Sequence, residues 1–228
     1  PTGDRETTAQ RIADVIFGAF AKMDPTRVVA AGNGAMSFFS FSGTDARSGQ
    51  PYIYVETIGG GSGARYNKDG LDAVHVHMTN TSNLPVEALE MEYPLMVEKY
   101  ALSENSCGAG KYRGGMGIIR TIRILEESRD TMLVGAATER AVIRPWGLEG
   151  GQPGGNASIK IYRDGKVISD NPKPRNVKLE KDDIVEMITA GGGYGPVSER
   201  DPEIIKREYK EGIIDRQWIE NAGIDITL

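Results

Sequence analysis

The stretch Gly117-Ile118-Ile119-Arg120-Thr121-Ile122-Arg123-Ile124-Leu125-Glu126 alternates isoleucine with arginine and threonine. A period near two sends successive side chains to opposite faces, as in a strand with one face in a core. Comparable runs lie on either side: Val28–Ala31, Met36–Phe41, Tyr52–Ile58, Val97–Leu102, Thr131–Ala137, Ala157–Tyr162 and Ile184–Thr189. Arg163-Asp164-Gly165-Lys166 reads as a hairpin turn. Asp72–Met78 also alternates, which predicts a strand with Val74, Val76 and Met78 on one face and His75 and His77 on the other.

Helical signals sit at the ends. Ala9, Ile12, Ala13, Ile16, Phe17 and Phe20 recur at helical spacing, predicting an apolar face that ends at Asp24-Pro25. Pro85–Met91 predicts a short helix. Asp201-Pro202-Glu203 is a helix start, with Gly212 placed as its C-cap. Asp215 starts a last short helix through Trp218, ended near Gly223. The expected fold class is α+β, with antiparallel sheets in the middle. It divides into a mixed α/β segment (1–100), a β-rich segment (101–190) and a helical tail (191–228), with no linker between them.

Composition narrows the function. The 228 residues carry a net charge of −5, which argues against nucleic-acid or membrane-surface partners. A single cysteine, Cys107, rules out an internal disulfide. No apolar run approaches the roughly 20 residues of a membrane span, and no signal-peptide core is visible, so a cytoplasmic location is expected.

Glycine is in excess, at 29 residues, and 18 of these fall in four clusters: Gly59–Gly63, Gly108–Gly117, Gly147–Gly155 and Gly191–Gly195. Such clusters make tight turns or let a ligand approach the backbone. Phosphate-binding patterns fail one by one. Gly59-x-Gly61-x-x-Ala64 is followed by a polar turn where a dinucleotide site needs a helix. Gly110-Lys111 lacks both the first glycine and the Ser/Thr of a P-loop. Gly60-Gly61-Ser62-Gly63-Ala64 misses the last glycine of a nucleophile elbow. The chain is therefore expected to bind no cofactor itself.

His75 and His77 are the only histidines. A pair at i, i+2 can act in acid–base chemistry or simply end a strand, and no third ligand completes a metal site. Cys107 has no neighbouring base to activate its thiol. Arg140, Arg144 and Trp146 precede a glycine cluster and read as a β-turn with a packed tryptophan.

The string His75-Val-His77-Met-Thr-Asn80-Thr-Ser-Asn83-Leu-Pro85-Val-Glu87-Ala-Leu-Glu90, followed by Tyr93-Pro94, resembles the B-type component of hydantoinases and their relatives. That family includes N-methylhydantoinase, 5-oxoprolinase and the acetone and acetophenone carboxylases. Four further segments agree in order. They are Gly59–Gly70, Gly108–Gly117, Arg144–Gly151, and Gly191–Gly195 leading into Glu199–Pro202.

The resemblance covers the C-terminal half of a B-type subunit. It implies that the N-terminal half, with the family's metal-binding His and Asp residues, is supplied elsewhere, through a split gene, processing or truncation. It also implies a partner A-type subunit that binds ATP and a divalent metal. The implied activity is ATP-dependent hydrolysis of a small cyclic amide such as a hydantoin or 5-oxoproline. The alternatives are a subunit of an ATP-dependent acetone/acetophenone-type carboxylase and a non-catalytic assembly module. Ring opening needs a base near neutral pKa, so His77 and then His75 are the expected catalytic residues, with Glu87 orienting them. Asn80, Asn83, Arg65 and Gly61 are the expected substrate contacts, and no metal is assigned to this chain.

Overall fold

The computed structural model describes residues 4–227. Pro1, Thr2, Gly3 and Leu228 lie outside the described residues. The fold is α+β, with two antiparallel sheets. One contains β1 (Ser37–Asp45), β2 (Gln50–Ile58), β5 (Ser128–Ala137) and β8 (Arg175–Lys178), in the order β2-β1-β5-β8. The other contains β3 (Leu95–Leu102), β4 (Ile118–Ile124), β6 (Ser158–Arg163), β7 (Lys166–Ser169) and β9 (Ile184–Ile188), in the order β3-β4-β9-β6-β7. The 1–100 and 101–190 segments interleave, since β1 pairs with β5 and β3 with β4.

The sheets share one core. Phe39, Phe41 and Leu133 come from the first sheet, and Ile122, Ile124, Ile159 and Val185 from the second. Helix α2 (Val86–Glu92) adds Leu89 to the same core. Alternation along β4 also places Arg120 in its buried row. Its guanidinium is held by Glu56 on β2 (Nε–Oε2 3.0 Å, Nη2–Oε1 2.8 Å) and lies 4.5 Å from the Tyr100 ring centroid. A charge in such a place survives only when it is paired.

The glycine clusters form a separate layer beside the sheets. Among their 18 glycines only Gly150 and Gly195 have positive φ, so most are not turns. They allow backbone to lie directly on backbone. A Cβ at Gly63 would sit 1.7 Å from the Ala30 carbonyl oxygen, and one at Gly117 would sit 1.6 Å from that of Thr189. The clusters hydrogen-bond to one another: Gly115 N donates to Ser62 O (2.8 Å), Gly108 N to Gly191 O (2.7 Å) and Leu148 N to Gly193 O (3.1 Å). Val28–Ala31, expected as a strand, threads this layer instead. Ala30 N donates to Ala64 O (2.9 Å) and Ala31 N to Trp146 O (3.0 Å), so its partners come singly from different loops and no ladder forms.

Helices α3 (Pro202–Lys210) and α4 (Arg216–Ala222) pack on the layer through Ile205, Trp218 and Ile219, which meet Cys107, Ala109 and Met116. Asp201 and Asp215 cap them as expected, and Gly212 and Gly223 end them at positive φ. Burial pushes the Cys107 thiol up to about 12, so it is no nucleophile. Charges also bridge the tail to the layer. Glu208 Oε1 accepts from Arg113 Nε (2.7 Å) and Arg200 Nη2 (2.8 Å).

Helix α1 (Gln10–Ala21) is turned the opposite way from the expected one. Its buried residues are Gln10, Asp14 and Ala21, while Ile12, Ile16 and Phe20 face outward. The reason is electrostatic, because Asp14 is drawn inward by basic side chains. Among the described residues no helix is long and apolar enough to cross a membrane.

Candidate functional site

Residues 71–81 cross the glycine layer without forming the expected strand. Ala73 (φ 51°) and His77 (φ 55°) adopt the left-handed region, which breaks the period of two. One bridge, Gly60 to Val74, ties the segment down. Val76 packs against Gly32, where a Cβ would come within 3.0 Å of its side chain. The alternation of valines thus answers to the glycine layer rather than to a sheet. The two imidazoles do not share a strand face, yet both line one cavity of about 470 Å³ with Ser62, Gly63, Arg65 and Asn80.

The residue His77 lies at the surface, but its ring is only 10 % exposed. Its Nε2 is 2.9 Å from Asp14 Oδ1, and the Phe17 ring lies 5.4 Å away, centroid to centroid. Asp14 is held in turn by Arg140 Nη2 (2.5 Å) and Arg11 Nη1 (3.2 Å) on its other oxygen. With an acceptor oxygen of Asp14 beside it, Nε2 is the donor and Nδ1 keeps the lone pair, a tautomer assigned from this pairing. Burial pulls Arg140 down to about 10 against the opposing pull of Asp14, which leaves it charged at neutral pH.

His75 is built differently. Its Nδ1 lies 3.2 Å from Thr79 Oγ1, which receives Gln10 Nε2 at 3.3 Å. Its Nε2 is buried and has no hydrogen-bond partner among the described residues. Burial lowers its pKa, so the ring is a neutral imidazole at pH 7.

The other expected contacts divide. Arg65 and Asn80 are exposed and border the cavity. Gly61 lies in the layer, where a Cβ would meet Gly115 O at 2.0 Å. Asn83 is committed to the sandwich. Its Nδ2 donates to Glu56 Oε1 (3.0 Å) and Thr57 O (3.1 Å), and its Oδ1 accepts from Tyr100 (2.7 Å). Glu87 is exposed on the first turn of α2. The carboxylate on His77 is therefore that of Asp14, which sequence reading missed. The signal was there: one acid in the middle of an apolar helical window.

Among the described residues no cluster of three or more His, Cys, Asp or Glu is placed to hold a metal.

The profile of the Hydantoinase B/oxoprolinase family matches residues 1–197. A Pseudomonas sp. (strain NS671) protein, named as the B-type component of a D-/L-hydantoinase, is 33% identical over 232 residues, covering 100% of this chain and 38% of its own. An uncharacterized Methanocaldococcus jannaschii protein is 43% identical over 205 residues, covering 90% of this chain and 34% of its own. 5-oxoprolinase 1 of Arabidopsis thaliana is 36% identical over 192 residues, covering 84% of this chain and 14% of its own. Two solved structures share the fold. The ATP-dependent caprolactamase from Pseudomonas jessenii has a TM-score of 0.78 at 22% identity, covering 92% of this chain and 37% of its own. A nucleotide-free acetone carboxylase has a TM-score of 0.69 at 18% identity, covering 95% and 32%. This chain spans about a third of the two microbial relatives and of the two structural neighbours, and less of the plant enzyme. On this sequence match the chain belongs to the hydantoinase B/oxoprolinase family.

Proposed function

We propose that this chain is part of the B-type component of an ATP-dependent cyclic amide hydrolase, and that it supplies the base for ring opening. The observation that carries this reading is the Asp14–His77 pair at a cavity that also holds the neutral His75. The names of its relatives, a D-/L-hydantoinase component and 5-oxoprolinase, supply the substrate class.

In this reading His77 Nδ1 takes a proton from the water that attacks the ring carbonyl, and returns it to the ring nitrogen as the carbon–nitrogen bond breaks. Asp14 holds the ring and stabilises the imidazolium that forms, as a buried carboxylate does for a histidine base. Arg65 and Asn80 orient the polar edge of the substrate. ATP and its divalent metal belong to an A-type partner chain, and no step proposed for this chain passes through them.

The test is His77→Asn in the assembled enzyme, assayed with hydantoin and with 5-oxoproline. A fall in kcat of roughly 10²–10⁴-fold with a little-changed KM is the expected result. An unchanged kcat/KM removes His77 from the mechanism. Fixation of labelled bicarbonate onto a ketone by the same assembly would replace the hydrolase reading with the carboxylase one.

A further inference from the structure

Helix α1 presents its apolar face to solvent. Around the helix axis Ile12, Val15, Ile16, Ala19 and Phe20 occupy one continuous sector, opposite the buried Gln10 and Asp14. Ile12 is 53% exposed, Val15 70% and Phe20 54%, and Met23 just beyond the helix is 80% exposed. The surface continues past Val15 across a cavity of about 500 Å³ to Val142 and Ile143, which are 87% and 74% exposed. A soluble helix ordinarily points its apolar stripe at the core, and a contiguous apolar patch of this kind marks an interface. Asp14 is pinned inward by His77 and Arg140, and this holds α1 in that orientation.

We propose that this face, running from α1 to Val142 and Ile143, seats the additional polypeptide that longer family members carry beyond the shared region. What points to this occupant is the length comparison. The two microbial relatives match over 38% and 34% of their own lengths, so most of each lies outside the shared region. The partner surface is apolar, and it docks on the helix that holds His77 from the other side.

The experiment co-expresses this 228-residue chain with the part of the Methanocaldococcus jannaschii relative outside its matched 205 residues. Sedimentation velocity reads the complex. The wild-type chain is expected to form a one-to-one complex. The double variant Val15→Glu/Ile16→Glu is expected to bind at least tenfold more weakly while keeping the wild-type circular dichroism spectrum and Tm, since both side chains are at the surface. Ile53→Glu, exposed on β2, is the control and is expected to bind normally. Three results overturn the proposal: no complex with the wild-type chain, equal binding by the double variant, or a homodimer of this chain that the double variant dissolves. None of these readouts depends on turnover, so failure of the catalytic reading leaves the docking surface standing, and the reverse.

Discussion

Between the two sheets, Ile122, Ile124, Leu133 and Val185 exclude water with branched side chains that interlock. In the layer beside them, Gly63, Gly115 and Gly117 exclude it with no side chain at all, each lying where a Cβ would come within 2 Å of a neighbouring carbonyl oxygen. The sandwich tolerates a lost methylene by partial relaxation around the gap. The layer has no such slack, because what an added atom would strike is peptide backbone fixed by hydrogen bonds. The difference teaches that apolar area is not the only route to a dry interior; amides that satisfy each other across a few ångströms reach the same end with a different failure mode.

The sharpest way to break this comparison is Gly117→Ala. With the new Cβ 1.6 Å from Thr189 O, the cooperative fold is expected to be lost, at more than roughly 5 kcal/mol, read by urea denaturation. A wild-type midpoint would mean that the layer is loose. Leu133→Ala, fully buried in the sandwich, is expected to fold but to lose about 2–5 kcal/mol by the same assay. Gly49→Ala sharpens the contrast within one residue type. Its added Cβ meets nothing within 4 Å, so only the left-handed backbone (φ +72°) is strained, for about 1–2 kcal/mol.

The smallest effect concerns pH. The His75 pKa is lowered in the folded chain by burial, so below its unfolded value of 6.5 the unfolded chain takes up a proton that the native one refuses. Stability therefore falls as pH drops through 6.5, and His75→Gln is expected to flatten that part of the profile in thermal melts taken from pH 7.5 to 5. An identical slope in wild type and variant would place the ring in contact with water.

What could be read from the sequence follows the same division. Within the sandwich β4 was legible in its alternation and most other strands as short apolar runs, and the tail helices in Asp201, Asp215, Gly212 and Gly223, because caps and periods are local. β8 (Arg-Asn-Val-Lys) was not legible, since a charged edge strand carries no apolar signal. Val28–Ala31 and Asp72–Met78 looked like strands because their apolar residues do become buried, but against loops far away in sequence. The orientation of α1 was hidden for a related reason. Periodicity locates an apolar face but cannot say that Asp14 will be claimed from inside by Arg140 and His77. Of the candidate site, the two histidines, Arg65 and Asn80 came from local pattern and resemblance. Asp14 came from a helix 63 residues away in the chain.

The hydrogen-bonded loops around Gly108, Gly114, Gly115 and Gly192 have neither helical nor strand dihedral regularity along much of their length. A spectroscopist would therefore count them as coil. Their amide protons are nonetheless bonded to carbonyls of other loops, and are expected to meet solvent deuterium only when those bonds open. The least regular part of this molecule is in that sense its slowest clock.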